Sequence, residues 1–189
     1  MKSAIILHGM PSKEEYYDIS SKTQSSSHWL PWIQKQLIVS GILAQTPELP
    51  HPYEPKYEDW LDVFKQLTLN EETMLVGHSC GAGFLIRYLS ENSVHVGKVA
   101  LVAPFLDKKY SDATALFFEF IVDKDFVSKT KEVKVFYSTD DEQDILESVK
   151  LLKEQVKDIR YVEFTNKGHF TYGTMKTEEF PELKDFLLS

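Results

Sequence analysis

Met74-Leu75-Val76-Gly77-His78-Ser79-Cys80-Gly81-Ala82-Gly83 is an apolar run that stops at Gly77, a serine set between two glycines, and the start of a helical pattern. This is the layout Gly-x-Ser-x-Gly, in which a sharp strand-to-helix turn lifts a serine hydroxyl above the edge of a sheet. Side chains two positions either way would crowd so tight a turn, which is why glycine is wanted at 77 and 81. The five residues alone are a weak signal, and their weight depends on what surrounds them.

Working outward, Ala82, Leu85, Ile86 and Leu89 fall at i, i+3, i+4 and i+7, so the helix after the serine has one inward face. Upstream, Ala4-Ile5-Ile6-Leu7 is a continuous apolar run bounded by His8-Gly9, the pattern of a strand covered on both faces. A polar stretch from Pro11 to Ser27 reads as a surface loop. Trp29, Trp32, Ile33 and Leu37 then mark a helix, Ile42 to Ala44 a short strand, and Trp60, Leu61 and Phe64 a second helix. Further strands are expected at Val99–Val102, Val133–Tyr137 and Tyr161–Phe164, with a helical stripe Ile145, Val149, Leu152, Val156 between the last two. Strand and helix alternate along nearly the whole chain. The expected fold is α/β, a doubly wound, mostly parallel sheet of about six strands with helices on both faces, forming one domain over residues 1–189.

In such sheets ligands sit beyond the carboxyl ends of the strands. Three polar signals lie there: Ser79 after the third strand, Asp140-Asp141 after the fifth, and His169 after the sixth. A serine hydroxyl is a poor nucleophile until an imidazole takes its proton, and an acid holds that imidazole in the right tautomer. Ser79, Asp140 and His169 are therefore the candidate catalytic set, with Asp141 and Asp144 as alternative acids in a crowded run that could also cap the next helix. A developing oxyanion needs two backbone N–H donors, and Cys80 and Met10 are the candidates. His8 is expected to shape its loop, His78 to point away from the hydroxyl, and His28, His51 and His95 to be surface or capping residues.

Composition narrows the partners. Hydrophobic residues are 42% and charged residues 26%, an ordinary globular balance. A net charge of −8 argues against nucleic acid. The single cysteine, Cys80, cannot form an intrachain disulfide and reads as a packing residue, although its place beside Ser79 would let thiol reagents block activity. No metal-ligand spacing and no phosphate-cradling glycine motif is present, so neither a metal nor a cofactor is expected. No run approaches the ~18 apolar residues of a membrane span. A cytoplasmic protein with a small-molecule acyl substrate is the expectation; the oligomeric state is open.

With these residues in hand, the chain resembles the small serine hydrolases of the retinoblastoma-binding-protein-9 type, within the α/β-hydrolase superfamily. The resemblance rests on His8-Gly9, Trp29-x-x-Trp32, Gly77-His78-Ser79-Cys80-Gly81, Ser138-Thr139-Asp140-Asp141 and Gly168-His169-Phe170. It implies a triad at Ser79, Asp140 and His169 and cofactor-free hydrolysis of small ester, and also amide, bonds. Two departures stand out: a longer Pro11–Ser27 loop, and the missing apolar-proline step after the acid. Phe105 and Phe170 are the candidate pocket walls. Residues 105–130 are read either as part of a cap or as a crossover helix with Ala115 to Ile121 as its buried face. Competing readings are an interaction module on the same fold, or an acyltransferase or thioesterase.

Overall fold

A computed structural model describes residues 2–106 and 114–189. Six strands form one parallel sheet: β1 (Ser3–Leu7), β2 (Leu43–Gln45), β3 (Thr73–His78), β4 (Val96–Val102), β5 (Thr130–Ser138) and β6 (Arg160–Phe164), in the order β2-β1-β3-β4-β5-β6. The helices are α1 (Lys13–Tyr17), α2 (Leu30–Val39), α3 (Tyr57–Phe64), α4 (Cys80–Glu91), α5 (Gln143–Gln155), α6 (Tyr172–Met175) and α7 (Pro181–Leu188). The α/β, doubly wound expectation therefore holds. The Pro11–Ser27 stretch is not all loop, because α1 and a 3₁₀ turn at Gln24–Ser26 lie within it.

Strict alternation along the strands sorts side chains into two layers. Ile5, Leu7, Leu75, Val99, Leu101, Val133 and Val135 face Trp60, Phe64, Phe84, Leu85 and Leu152, so α3, α4 and α5 cover one side. Ala4, Ile6, Met74, Val76, Ala100, Val102 and Phe136 face Trp29, Ile33, Leu37, Leu183 and Phe186 from α2 and α7 on the other. Each fully buried Phe or Leu of these layers stabilises the fold by roughly 1.5–3 kcal/mol relative to exposure.

Of the two readings of this region, the crossover helix over Ala115 to Ile121 does not form: residues 114–121 are turns with bends. Two adjacent rings, Phe117 and Phe118, are both buried while Leu116 and Ile121 are exposed, which no single helical stripe would produce. Phe117 packs 5.0 Å from Trp60, and Arg87 Nη1 donates to the carbonyls of Leu116 and Phe117, each at 2.8 Å. Residues 107–113, within the stretch also read as part of a cap, lie outside the described residues.

Register places the loops. Leu7 pairs with Gly77, so the chain after β1 emerges beside His78 and Ser79. Ser138 pairs with Phe164, so the loops carrying the acids and His169 leave the sheet side by side. The chain turns from β1 toward β2 and from β3 toward β4, opening the crevice between β1 and β3 where such folds hold ligands.

Candidate active site

Ser79 stands between β3 and α4 with φ 53° and ψ −118°, a left-handed conformation that a non-glycine residue adopts at a cost of roughly 1–3 kcal/mol. The surroundings hold it there. Its N–H donates to the carbonyl of Val102 at 2.9 Å, and its carbonyl accepts from Ala82, Gly83 and Phe105 at 3.0, 3.1 and 3.2 Å. Both motif glycines answer to backbone: a Cβ on Gly77 would lie 2.6 Å from Ala82, and one on Gly81 would lie 2.4 Å from the carbonyl oxygen of His8. The result is a serine only 8% exposed at the head of α4.

His169 arrives on the loop after β6. Its Nδ1 is 2.9 Å from Oδ1 of Asp141, whose side chain is fully buried while the ring is 22% exposed. The carboxylate accepts the Nδ1 proton, leaving the Nε2 lone pair for proton transfer. Its second oxygen, Oδ2, is buried without a partner among the described residues.

The acid facing His169 is thus Asp141, not Asp140. The reason is a turn at the end of β5. The N–H of Asp141 donates to the carbonyl of Ser138 at 3.2 Å, and this reversal turns Asp141 inward while leaving Asp140 on the rim. There Asp140 Oδ1 accepts from Ser138 Oγ and from the N–H of Gly168 at 3.0 Å, bonds that hold its carboxyl below the usual aspartate range. Asp140 braces the loop that carries His169. Asp144 uses its carboxylate on the N–H of Ile145, 2.9 Å away.

The serine turn, the imidazole loop and the buried acid therefore meet at one edge of the sheet, and comparison with known proteins gives this geometry a family. The serine hydrolase profile matches residues 21–187. This chain belongs to the serine hydrolase family. The hydrolase is 36% identical over 98 residues to YdeN of Bacillus subtilis (strain 168), described as a hydrolase; the matched stretch is 50% of this chain and spans about half, 52%, of the length of that relative. The crystal structure of the B. subtilis ydeN gene product superposes with a TM-score of 0.81 at 28% identity, covering 100% of this chain and 97% of that one. Est1E from Butyrivibrio proteoclasticus shares the fold, with a TM-score of 0.68 at 16% identity over 99% of this chain and 87% of its own. The α/β-hydrolase fold and a YdeN-like serine hydrolase are what these likenesses establish.

In the hydrolase, Gly9 abuts Ser79: a Cβ there would lie 3.0 Å from Cβ of Ser79. His8 fixes the next peptide. Its Nδ1 donates to the carbonyl of Gly9 at 2.8 Å, and its Nε2 accepts from the N–H of Leu49 at 2.9 Å. Burial pushes the His8 imidazole below its ordinary value, against the opposing pull of Gly9 and Glu48, which keeps the neutral tautomer this pair of bonds requires. In a trans peptide the N–H points opposite the C=O, so capturing the Gly9 carbonyl directs the Met10 N–H the other way. Cys80 supplies the other candidate N–H from the first turn of α4, where helix donors lack intrahelical partners. Its thiol is fully buried and burial pushes it up, so the expected sensitivity to thiol reagents does not fit.

Phe105 is half-buried and tied by its N–H to the carbonyl of Ser79, with its ring edge-on to Phe118 at 5.3 Å. Phe170 is not a wall. Its φ of 56° turns the ring into the second layer, stacked on Phe180 at 5.4 Å and 0% exposed. His78, at the variable motif position, follows the Met74–Val76 face of β3 into that same layer. Its ring meets His28 at 5.7 Å, Trp29 at 5.8 Å and His169 at 5.0 Å. The sequence offered one sign of this: a polar ring ending an otherwise buried strand. His28 acts as a cap, its Nδ1 accepting from the N–H of Tyr172 at 3.2 Å. With Trp32 and Tyr172 it walls a cleft of about 730 Å³ that also carries Lys22, Lys176 and Glu178. Among the described residues no group of three His, Cys, Asp or Glu side chains could hold a metal ion, and no helix is long and apolar enough to cross a membrane.

Proposed function

We propose that this hydrolase cleaves small ester bonds through an acyl-enzyme, with Ser79 as nucleophile, His169 as general base and Asp141 as the orienting acid. The observation that carries the reading is the Asp141–His169 pair seated beside the strained Ser79 turn. Among the described residues no hydrogen bond joins Ser79 Oγ to the His169 ring, and in this reading that contact forms as substrate binds.

In the forward half-reaction Ser79 Oγ adds to the ester carbonyl while its proton passes to Nε2 of His169. The buried Asp141 carboxylate stabilises the imidazolium and keeps its own charge. The carbonyl electrons collect on an oxyanion that the N–H groups of Cys80 and Met10 receive. Collapse breaks the C–O bond, and His169 returns the proton to the departing alcohol. Water then repeats the sequence on the acyl-enzyme. Phe105 beside Ser79 suits a short acyl group, and the charge-lined cleft by His28 suits a polar alcohol portion of modest size.

A fluorophosphonate probe should form a covalent adduct at Ser79 in the wild type and none in Ser79→Ala. Short p-nitrophenyl esters should be turned over, with kcat falling on the order of a million-fold in the alanine variant. A folded wild type that neither labels nor cleaves any short ester would end this reading.

A further inference from the structure

We propose that His78 is a positioning residue for His169, joining the nucleophile turn to the loop that carries the general base. The proposal rests on His169 acting as base in the reading above. The contact is specific: Nε2 of His78 lies 2.8 Å from the carbonyl oxygen of His169, and because a carbonyl oxygen can only accept, the ring nitrogen carries the proton and donates. That fixes the Nε2–H tautomer of a ring that is itself only 3% exposed.

The loop needs such a hold. Gly168 and Phe170, on either side of His169, both have left-handed backbone, with φ of 48° and 56°. Conformations of this kind persist only where several contacts agree on them. Asp140 fixes the N–H of Gly168, Ser138 Oγ accepts from the N–H of Lys167 at 3.1 Å, and Phe170 is anchored in the core. Each of these acts on a neighbour of His169. His78 is the side chain that grips His169's own peptide, and it precedes Ser79 directly in the chain. Its ring also stands 5.0 Å from the His169 imidazole, tilted by 43°, so it limits how far that ring can swing. On the far side the His78 ring is itself wedged edge-on against Trp29 and His28.

His78 thus ties His169's own peptide to the residue directly before Ser79. Asp141 sets the tautomer of the His169 ring. A base displaced by about 1 Å loses on the order of a hundredfold in rate, with substrate binding little affected.

Three variants test this. His78→Phe removes the donor at similar volume, His78→Gln carries an amide N–H to about the position of Nε2, and His78→Asn is polar but too short. The expected result is a 10- to 100-fold fall in kcat for Phe and Asn, with KM within about threefold of wild type and Gln recovering most of the loss. A second readout needs no substrate: the downfield proton signal of the His169 Nδ1–H in contact with Asp141 should weaken in Phe and Asn and return in Gln. Wild-type kcat and an unchanged Nδ1–H signal in His78→Phe would overturn the proposal. If the Phe variant does not fold, equal kcat and equal signals in Asn and Gln would overturn it too. Failure of the ester reading would show separately, as an unlabelled Ser79 in the wild type.

Discussion

Asp140 and Asp141 carry the same carboxylate one residue apart, and substitution should separate what they do. Asp141→Asn removes the charge that holds the His169 Nδ1–H, so kcat for a short p-nitrophenyl ester should fall on the order of 10³–10⁴-fold in steady-state assays. Asp140→Asn should cost no more than about tenfold, while lowering the thermal midpoint, because it loosens only the brace on Gly168. Equal kinetic losses would return Asp140 to the triad. The sequence brought both acids to the right strand end but had no means of choosing, since a single turn bond from Asp141 to Ser138 decides which one faces inward. The same limit misplaced Phe170. Adjacency to His169 was legible, whereas the sign of one φ angle, which sends the ring into the core, was not.

The elements themselves were far easier to read, because period and punctuation are written locally. The apolar runs at Ala4–Leu7 and Met74–Val76 are strands, and the stripe Leu85, Ile86, Leu89 is the buried face of α4. The helix alternative for 114–121 does not hold for a physical reason: its aromatic residues are anchors for turns, placed by Trp60 and Arg87 from other elements. What sequence could not show is register, and register makes the site by laying the β1 loop against the β3 turn. Two outcomes follow at this scale. His8→Ala frees the Gly9 carbonyl and the Leu49 N–H, so the Met10 peptide should lose its orientation; kcat should fall about 10²–10³-fold, as for loss of one oxyanion donor, with KM little changed. An unchanged kcat would show that Met10 is oriented without His8. Gly81→Ala forces a Cβ onto the backbone of His8 and should lower stability by about 1–3 kcal/mol in urea unfolding, with activity lost alongside. A midpoint equal to wild type would mean that the β1 loop yields freely.

Across the whole molecule, the polar groups that assemble this edge make its stability depend on pH. His8 and His78 are deeply buried and held below the ordinary histidine value of 6.5, chiefly by loss of solvation. His78 also faces His28 and His169, whose positive charge would oppose its own; His8 faces Glu48, which only partly offsets its burial. His28, partly buried in the same cluster, is lowered as well. For a base whose folded pKa lies below its unfolded one, the unfolded chain holds more protons between the two values, so stability rises with pH in that window. The contribution is whole above about pH 6.5 and drains away as the pH falls below it. Each buried histidine that stays neutral in the native fold while the unfolded chain is protonated adds at most about 1.4 kcal/mol per pH unit to the slope. The carboxylates of Asp18, Glu72, Asp123 and Asp140, lowered by hydrogen bonds, act in a separate window below about pH 4, where protonation removes their bonds. Urea unfolding measured from pH 7.5 down to 5.5 should therefore show a steep fall in unfolding free energy. His78→Gln should shed about one proton from the slope, roughly 1.4 kcal/mol per pH unit, since an amide cannot titrate. A flat profile over that range would mean that the buried imidazoles accept protons in the native fold, and the neutral tautomers that hold Gly9 and His169 in place would then not be the ones at work.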